Sequence, residues 1–294
     1  MGKKVALQLR NYEPWENMAK EMAEAGFEYV AMAFGDEKPL LQRNWKSYVE
    51  EIGEVFAKNG LKCIQTHAPY YSLLISAEKR EQDMETALLR SIEATKILGA
   101  EICAVHPRSY IIDGMPRETE VDRERSLQEN LIAFRPLVRE CEKYGVLLGI
   151  ESLMRYPSIH PYFYSWLAED HAELIDRLES KNVCGIWDFG HANLIDTDHA
   201  SRIATVGGRI KGTHVHNNDG NEDYHFPPFL PTPDAYYVRH SVDWNATLAA
   251  LKNSGFDGYL TLESVFNLQY PSAGYIRYLY ESVCALDDIM NGNT

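Results

Sequence analysis

Eight short apolar runs, each followed by a longer amphipathic stretch, set the limits on what this chain can fold into. The runs are Val5–Leu9, Tyr29–Phe34, Leu61–His67, Glu101–His106, Val146–Leu153, Val183–Trp187, Ile210–His216 and Gly258–Glu263. All are of strand length, and several are rich in β-branched or aromatic residues. Between them apolar residues recur at helical spacing. Trp15–Ala25 stops at Gly26, Tyr48–Lys58 at Gly60, Ala77–Leu98 at Gly99 and Ser126–Tyr144 at Gly145. A glycine just past a helix supplies the left-handed residue that closes it. Asp170 and Glu173 have the spacing of a capping box opening a helix over Ala172–Leu178. Ala200–Val206, Asn245–Asn253 and Ala273–Met290 complete the series.

Strands alternating with helices pair in parallel through crossovers, and eight such units close naturally on themselves. The expected fold is therefore α/β, a single (β/α)8 TIM barrel occupying residues 1–294 as one domain. An open doubly wound sheet is the alternative. No glycine-rich phosphate loop follows the first run, which counts against a dinucleotide-binding domain.

The formal charge of −14 separates classes of partner. Nucleic-acid affinity comes from Lys and Arg contacts that release counterions, and an acidic surface repels polyanions. Basic clusters such as Arg117 to Arg125 are interleaved with acids, so nucleic acid is not an expected partner. The five cysteines are odd in number, widely spaced and mostly within apolar runs, as expected of free buried thiols in a reducing compartment. The N-terminus lacks a long apolar signal core, and no stretch approaches the ~18 apolar residues of a membrane helix. The expected location is cytoplasmic, with no membrane partner.

In a (β/α)8 barrel the working residues sit at the carboxyl ends of strands and just beyond. The last four runs end in Glu151, Asp188, His216 and Glu263. Taken singly, a glutamate there can pair with an arginine and a histidine can be a hydrogen-bonded core residue. Together they place several carboxylates around one axis, where they repel unless a cation neutralises them. Carboxylates with one imidazole suit a divalent metal ion such as Mn²⁺, Mg²⁺, Co²⁺ or Zn²⁺. His67 and His106 end the third and fourth runs in the same way and can contact substrate or hold further metal. His214 shares the face of His216 one layer deeper, which predicts a structural role. Asp223 and His225 form a D-x-H pair that is either a solvated turn or part of the site, and Asn217–Gly220 reads as a plain turn. Two aromatic loops, Met154–Trp166 and Tyr224–Val242, are expected to overhang the mouth, where their rings can face a sugar or form an oligomer contact.

These residues carry a resemblance. Val183-Cys-Gly-Ile-Trp-Asp-Phe-Gly-His-Ala192 resembles the D-x-G-H segment of the xylose isomerase-like TIM barrel superfamily. His214-Val-His-Asn-Asn-Asp-Gly220 followed by Asp223-x-His225 is similar to its strand-seven segment, and Gly255–Glu263 to its last strand. The resemblance extends over essentially the whole chain. It implies metal ligation by Glu151, Asp188, His216 and Glu263, and a substrate contact from His191. In the endonuclease IV branch of the superfamily, His67, His106, His191, Asp223 and His225 match additional zinc ligands. Two departures stand out. The arginine that keto-sugar epimerases carry after the strand-seven histidine has no counterpart in Asn217–Glu222, and Asn217 replaces an acidic residue.

The expected activity is a metal-dependent isomerase or epimerase acting on a sugar or sugar phosphate. Glu151 and Glu263 would remove and return a proton through an enediolate while His191 orients a hydroxyl. The alternatives are a trinuclear zinc phosphodiesterase of the AP endonuclease type and a metal-dependent dehydratase or lyase on a sugar or inosose. Arg108, Arg155 and Arg239 are equivalent candidates for a phosphate contact.

Overall fold

The computed structural model describes residues 2–70, 78–110, 120–154, 162–195, 198–229, 241–264 and 272–293. In chain order the elements are β1 (Val5–Arg10), α1 (Trp15–Ala25), β2 (Tyr29–Ala33), α2 (Lys38–Leu41), α3 (Trp45–Lys58), β3 (Lys62–His67), α4 (Glu78–Ile97) and β4 (Ile102–Val105). There follow β5 (Ser109–Tyr110), α5 (Glu120–Tyr144), β6 (Leu147–Glu151), β7 (Tyr162–Phe163), α6 (Ala168–Arg177), β8 (Val183–Asp188) and α7 (Phe189–Asn193). The chain continues through α8 (His199–Val206), a 3-10 turn, β9 (Ile210–His214), α9 (Trp244–Asn253), β10 (Leu260–Leu262) and α10 (Ser272–Asn291).

Eight parallel strands form one sheet in the order β10-β1-β2-β3-β4-β6-β8-β9. Its two ends meet where Val215 bridges Leu262 in parallel, with Val215 N donating to Thr261 O at 2.8 Å and Glu263 N to Val215 O at 3.0 Å. The fold is a (β/α)8 TIM barrel. The remaining strands, β5 and β7, pair antiparallel above it and tie together the segments that follow β4 and β6.

Alternation along each strand divides the side chains into two sets. Leu7 and Leu9 of β1, with Val30 and Met32 of β2, face the surrounding helices in one apolar cluster. Cys103, Leu148 and Ile150 do so in a second cluster, packed on α5 residues such as Leu131 and Phe134. The opposite set points into the barrel. Ile102, Ala104, Cys184 and Ile186 form a small apolar layer there. Above it the inward positions turn polar, with Gln8, Gln65, His214 and Thr261 all fully buried.

Gly26, Gly60, Gly99 and Gly145 all take positive φ after their helices, as the sequence pattern requires. The capping box at Asp170 is a correction. Helix α6 begins at Ala168, so Asp170 lies inside its first turn, buried and ion-paired with Arg123, and no side chain caps Leu167. The buried Asp170 carboxylate is turned to the partly exposed Arg123 and not to the helix N-terminus. All five cysteines are free thiols, four buried and Cys284 half-buried. Among the described residues no helix is long and apolar enough to cross a membrane.

Candidate metal centre

The carboxyl ends of the strands bring a cluster of carboxylates and imidazoles to one end of the barrel axis. Glu151 ends β6, Asp188 ends β8, and Glu263 follows β10, all three essentially without solvent exposure. Between them lies His214 at the end of β9. Its Nδ1 is 3.1 Å from Glu151 Oε2, 3.4 Å from Glu263 Oε2 and 3.9 Å from Asp188 Oδ2. These four residues each offer an atom lying within 4.8 Å of the other three.

This placement departs from the expectation for strand seven. His214 was expected one layer below the site and instead reaches its centre. Pairing with β8 ends at His214, and His216 beyond it meets the other carboxylate oxygen of Asp188, with Nε2 3.0 Å from Oδ1. His216 joins a neighbouring group with His191, Asp223 and His225. Its ring stacks on His225 at 3.9 Å between centroids. The D-x-H pair is thus a half-buried part of the site and not a solvated turn: Asp223 lies 3.1 Å from His225 Nε2 and 3.5 Å from His191 Nε2. On the opposite side His67 and His106 point their Nε2 atoms at Glu151 Oε2, at 3.0 and 3.1 Å. All nine residues singled out from the sequence therefore converge.

Asn217–Gly220 is more than a turn. Asn218 is buried, donates to Gly190 O at 2.8 Å and accepts from Asn193, while Asn217 pairs with Phe226. These bonds fasten the segment after β9 to α7 and bring Asp223 back over the axis.

Proton positions follow from the partners. A backbone carbonyl only accepts, so a ring nitrogen beside one must carry hydrogen. Nδ1 of His67 donates to Ala68 O at 2.7 Å, Nδ1 of His191 to Ser152 O at 2.9 Å, and Nδ1 of His225 to Glu263 O at 2.9 Å. In each neutral ring the Nε2 lone pair then faces a carboxylate oxygen. Lone pair against carboxylate is repulsive unless a proton or a metal ion lies between them. Donation of one ring nitrogen to a carbonyl is also how metal-bound histidines are oriented.

Burial penalises charge on His67 and lowers its pKa despite the Glu151 contact, which leaves its Nε2 unprotonated. Burial also opposes charge on His214, but Glu151 and Glu263 outweigh it and push the pKa up to about 9. His225 follows the same balance against Asp223 and Glu263, also to about 9. Burial alone would raise the Glu263 carboxyl, yet His214 and His225 bring it down to about 2. Buried orphans remain in the site: Nδ1 of His214, Nδ1 of His216 and Oδ1 of Asp223 have no well-aligned hydrogen bond. Without metal, protons at His214 and His225 offset the buried carboxylates, while the His67 Nε2 lone pair and several polar atoms stay unsatisfied. This set of carboxylates and imidazoles fits a divalent cation that would take the place of those protons.

Three contributors escaped the sequence reading. Arg10 extends β1 by one residue beyond the apolar run and sets Nη2 3.8 Å from Glu263 Oε1, with Nη1 bonded to Ser264 O at 3.3 Å. Tyr70 stands over His67 and donates to Glu263 Oε1 at 3.4 Å. Gln65 lies two residues before His67, on the same inward phase of β3, and that spacing was the available signal. Of the phosphate candidates, Arg155 and Arg239 lie outside the described residues, as do 155–161 and 230–240 of the aromatic loops. Tyr164 is buried in the core, whereas Tyr224 and Phe229 are exposed.

The sequence profile described as the xylose isomerase-like TIM barrel matches residues 19–277, most of the chain. The chain belongs to this family. Among solved structures, family-like barrels superpose along nearly the full length. A 3-keto-D-glucoside 4-epimerase from E. coli gives a TM-score of 0.71 at 18% identity, covering 97% of this chain and 100% of that one. An L-ribulose 3-epimerase gives 0.71 at 16%, covering 99% and 97%. A D-psicose 3-epimerase from Clostridium cellulolyticum gives 0.66 at 16%, covering 98% and 96%. At these identities the likeness establishes the shared fold. An uncharacterized protein of Methanocaldococcus jannaschii is 25% identical over 205 residues, 68% of this chain and 64% of its own length. One from Sinorhizobium fredii is 27% identical over 150 residues, 49% of this chain and 43% of its own length. The matches thus span less than two thirds of either relative.

Proposed function

We propose that this family member is a divalent-metal-dependent isomerase or epimerase that moves a proton on a small sugar or sugar-phosphate carbonyl compound. The observation that carries the proposal is the cluster of Glu151, Asp188, His214 and Glu263 on the barrel axis, ringed by histidines whose Nε2 atoms face carboxylates. Sugar epimerases among the barrels of the same fold support the substrate class. A bound divalent ion would supply Lewis acidity for acidifying the carbon beside the carbonyl group.

The chain's own residues do the rest. Glu151, Asp188 and Glu263 would hold the ion together with His214, the last residue of β9, or His216, two residues beyond it. Glu151 and Glu263, at 3.1 and 3.4 Å from His214 Nδ1, take and return the proton. Two carboxylates serve the two faces of a planar intermediate, as inversion of one carbon requires. His191, held through Nδ1 by Ser152 O, orients a hydroxyl of the substrate. Arg10 and Tyr70 keep Glu263 aimed at the axis.

A second reading, a multinuclear zinc phosphodiesterase, is favoured by the two flanking groups, His67 and His106 with Glu151, and His191 with His216, Asp223 and His225. The −14 charge opposes a nucleic-acid substrate. A dehydratase or lyase would use the same central carboxylates. Elemental analysis of protein purified without chelator separates the first two. About one divalent ion per chain, with deuterium uptake from D₂O into a ketose, supports proton transfer. About three zinc ions, with phosphodiester cleavage and no deuterium uptake, overturns it.

A further inference from the structure

We infer that Gln65 is a positioning residue for His214, reaching across the barrel interior to set which ring nitrogen of that histidine carries hydrogen. Strand β3 is four places from β9 around the eight-strand ring, so the two side chains approach from opposite walls. The Gln65 amide nitrogen lies 2.8 Å from His214 Nε2, so the structure shows the donor end of the amide toward the ring, and both side chains are buried. Nδ1, the other nitrogen of the same ring, faces Glu151, Glu263 and Asp188. Whatever the amide presents at one end of this imidazole therefore dictates what the carboxylates meet at the other.

A primary amide can present either group. With its carbonyl oxygen toward His214, it accepts from Nε2–H and leaves the Nδ1 lone pair for a cation among the carboxylates. With its NH₂ group toward His214, it donates to Nε2, and Nδ1–H is then shared with Glu151. Glutamine thus serves the centre both with and without a metal ion, by turning over in place.

Room for this reach is built into the facing strand. Gly212 precedes His214 by two residues on the same inward phase. A Cβ at that position would stand 2.7 Å from Gln65 Oε1 and 2.5 Å from Ile186 Cδ1, closer than real side chains pack. The glycine lets the amide pass over β9 and meet the ring.

The tautomer is a property of the metal-free chain, and only its consequence for metal affinity rests on the function proposed above. The test uses metal-free protein with ¹⁵N-labelled histidine, held above the His214 pKa of about 9 so that the ring is neutral, the His214 ring signals being assigned by their loss in His214→Gln. In Gln65→Leu the Nε2 signal is expected to leave its hydrogen-bonded position, and Gly212→Ala, which pushes the amide aside, should reproduce the change. Gln65→Glu keeps an acceptor at the same reach and should hold Nε2–H. Co²⁺ affinity should fall about 10–100-fold in Gln65→Leu and recover to within several-fold in Gln65→Glu. Unmoved His214 signals in a folded Gln65→Leu protein, or in Gly212→Ala if Leu does not fold, overturn the inference. A wild-type chain that binds no Co²⁺ but whose His214 signals still follow Gln65 upholds it, and removes the metal-centre proposal instead.

Discussion

Gly190 lies directly against the imidazole of His216: a Cβ at position 190 would overlap Cε1 and Nδ1 of that ring. The glycine sits in α7, the short helix that Asp188 caps by accepting from His191 N at 2.7 Å. One six-residue stretch thus supplies a carboxylate, a flat surface for one histidine and the backbone of another. Gly190→Ala should push His216 off Asp188. Overpacking of this kind costs about 1–3 kcal/mol. Thermal unfolding and Co²⁺ titration should both report the loss, and wild-type values in both would show that His216 has room to spare.

Glu151 and Glu263 have separate tasks in the proposed proton transfer. Glu151→Gln and Glu263→Gln should each lower turnover by about 10²–10⁴-fold, the usual contribution of a positioned acid or base. Deuterium exchange at the substrate carbon, followed by NMR, should be lost in at least one of the two. Near-normal exchange in both variants would assign the proton transfer to other residues.

Metal removal should weaken the fold, because the ion neutralises carboxylates buried side by side. Binding to the native state alone adds RT ln(1 + [L]/Kd), or about 2.7 kcal/mol at a hundredfold excess over Kd. Dialysis against chelator should lower Tm by several degrees, and Mn²⁺ or Zn²⁺ should restore it. A Tm indifferent to both treatments would count against a high-affinity centre.

His171 makes acid stability testable away from the metal centre. Its Nε2 donates to Ile150 O at 2.8 Å, and burial lowers its pKa from 6.5 to about 4. The unfolded chain therefore binds a proton between these values that the native chain refuses. Stability from this group is complete above about pH 6.5 and is lost as pH falls through about 4. The full span corresponds to about 3 kcal/mol. His171→Asn should flatten the decline of denaturant stability between pH 6.5 and 4, and an unchanged slope would place the acid sensitivity elsewhere.

Most of the barrel was legible because its signals are local. The glycines after α1, α3, α4 and α5 and the period of the apolar runs placed all eight barrel strands to within two residues at each end. The site was legible wherever a residue ended a strand, because alternation then fixes the face: Glu151, Asp188, His67 and Glu263 all meet on the axis. It was not legible at β9. Both His214 and His216 satisfy the inward phase, and spacing alone does not rank two residues on one face.

The linear pattern by itself determined the class of fold, the end of the barrel that carries chemistry and the nine residues gathered there. Tertiary structure alone decided how those residues divide. The β8–β9 pairing ends at His214, whose side chain lies among three carboxylates, while His216 meets Asp188 and Asp223. It also decided that Asp170 pairs with Arg123 instead of capping, and that Gln65 meets a histidine 149 residues away. Periodicity encodes which way a side chain points relative to its own strand. Which partner it meets depends on closure of the sheet, and only the closed barrel places β3 opposite β9.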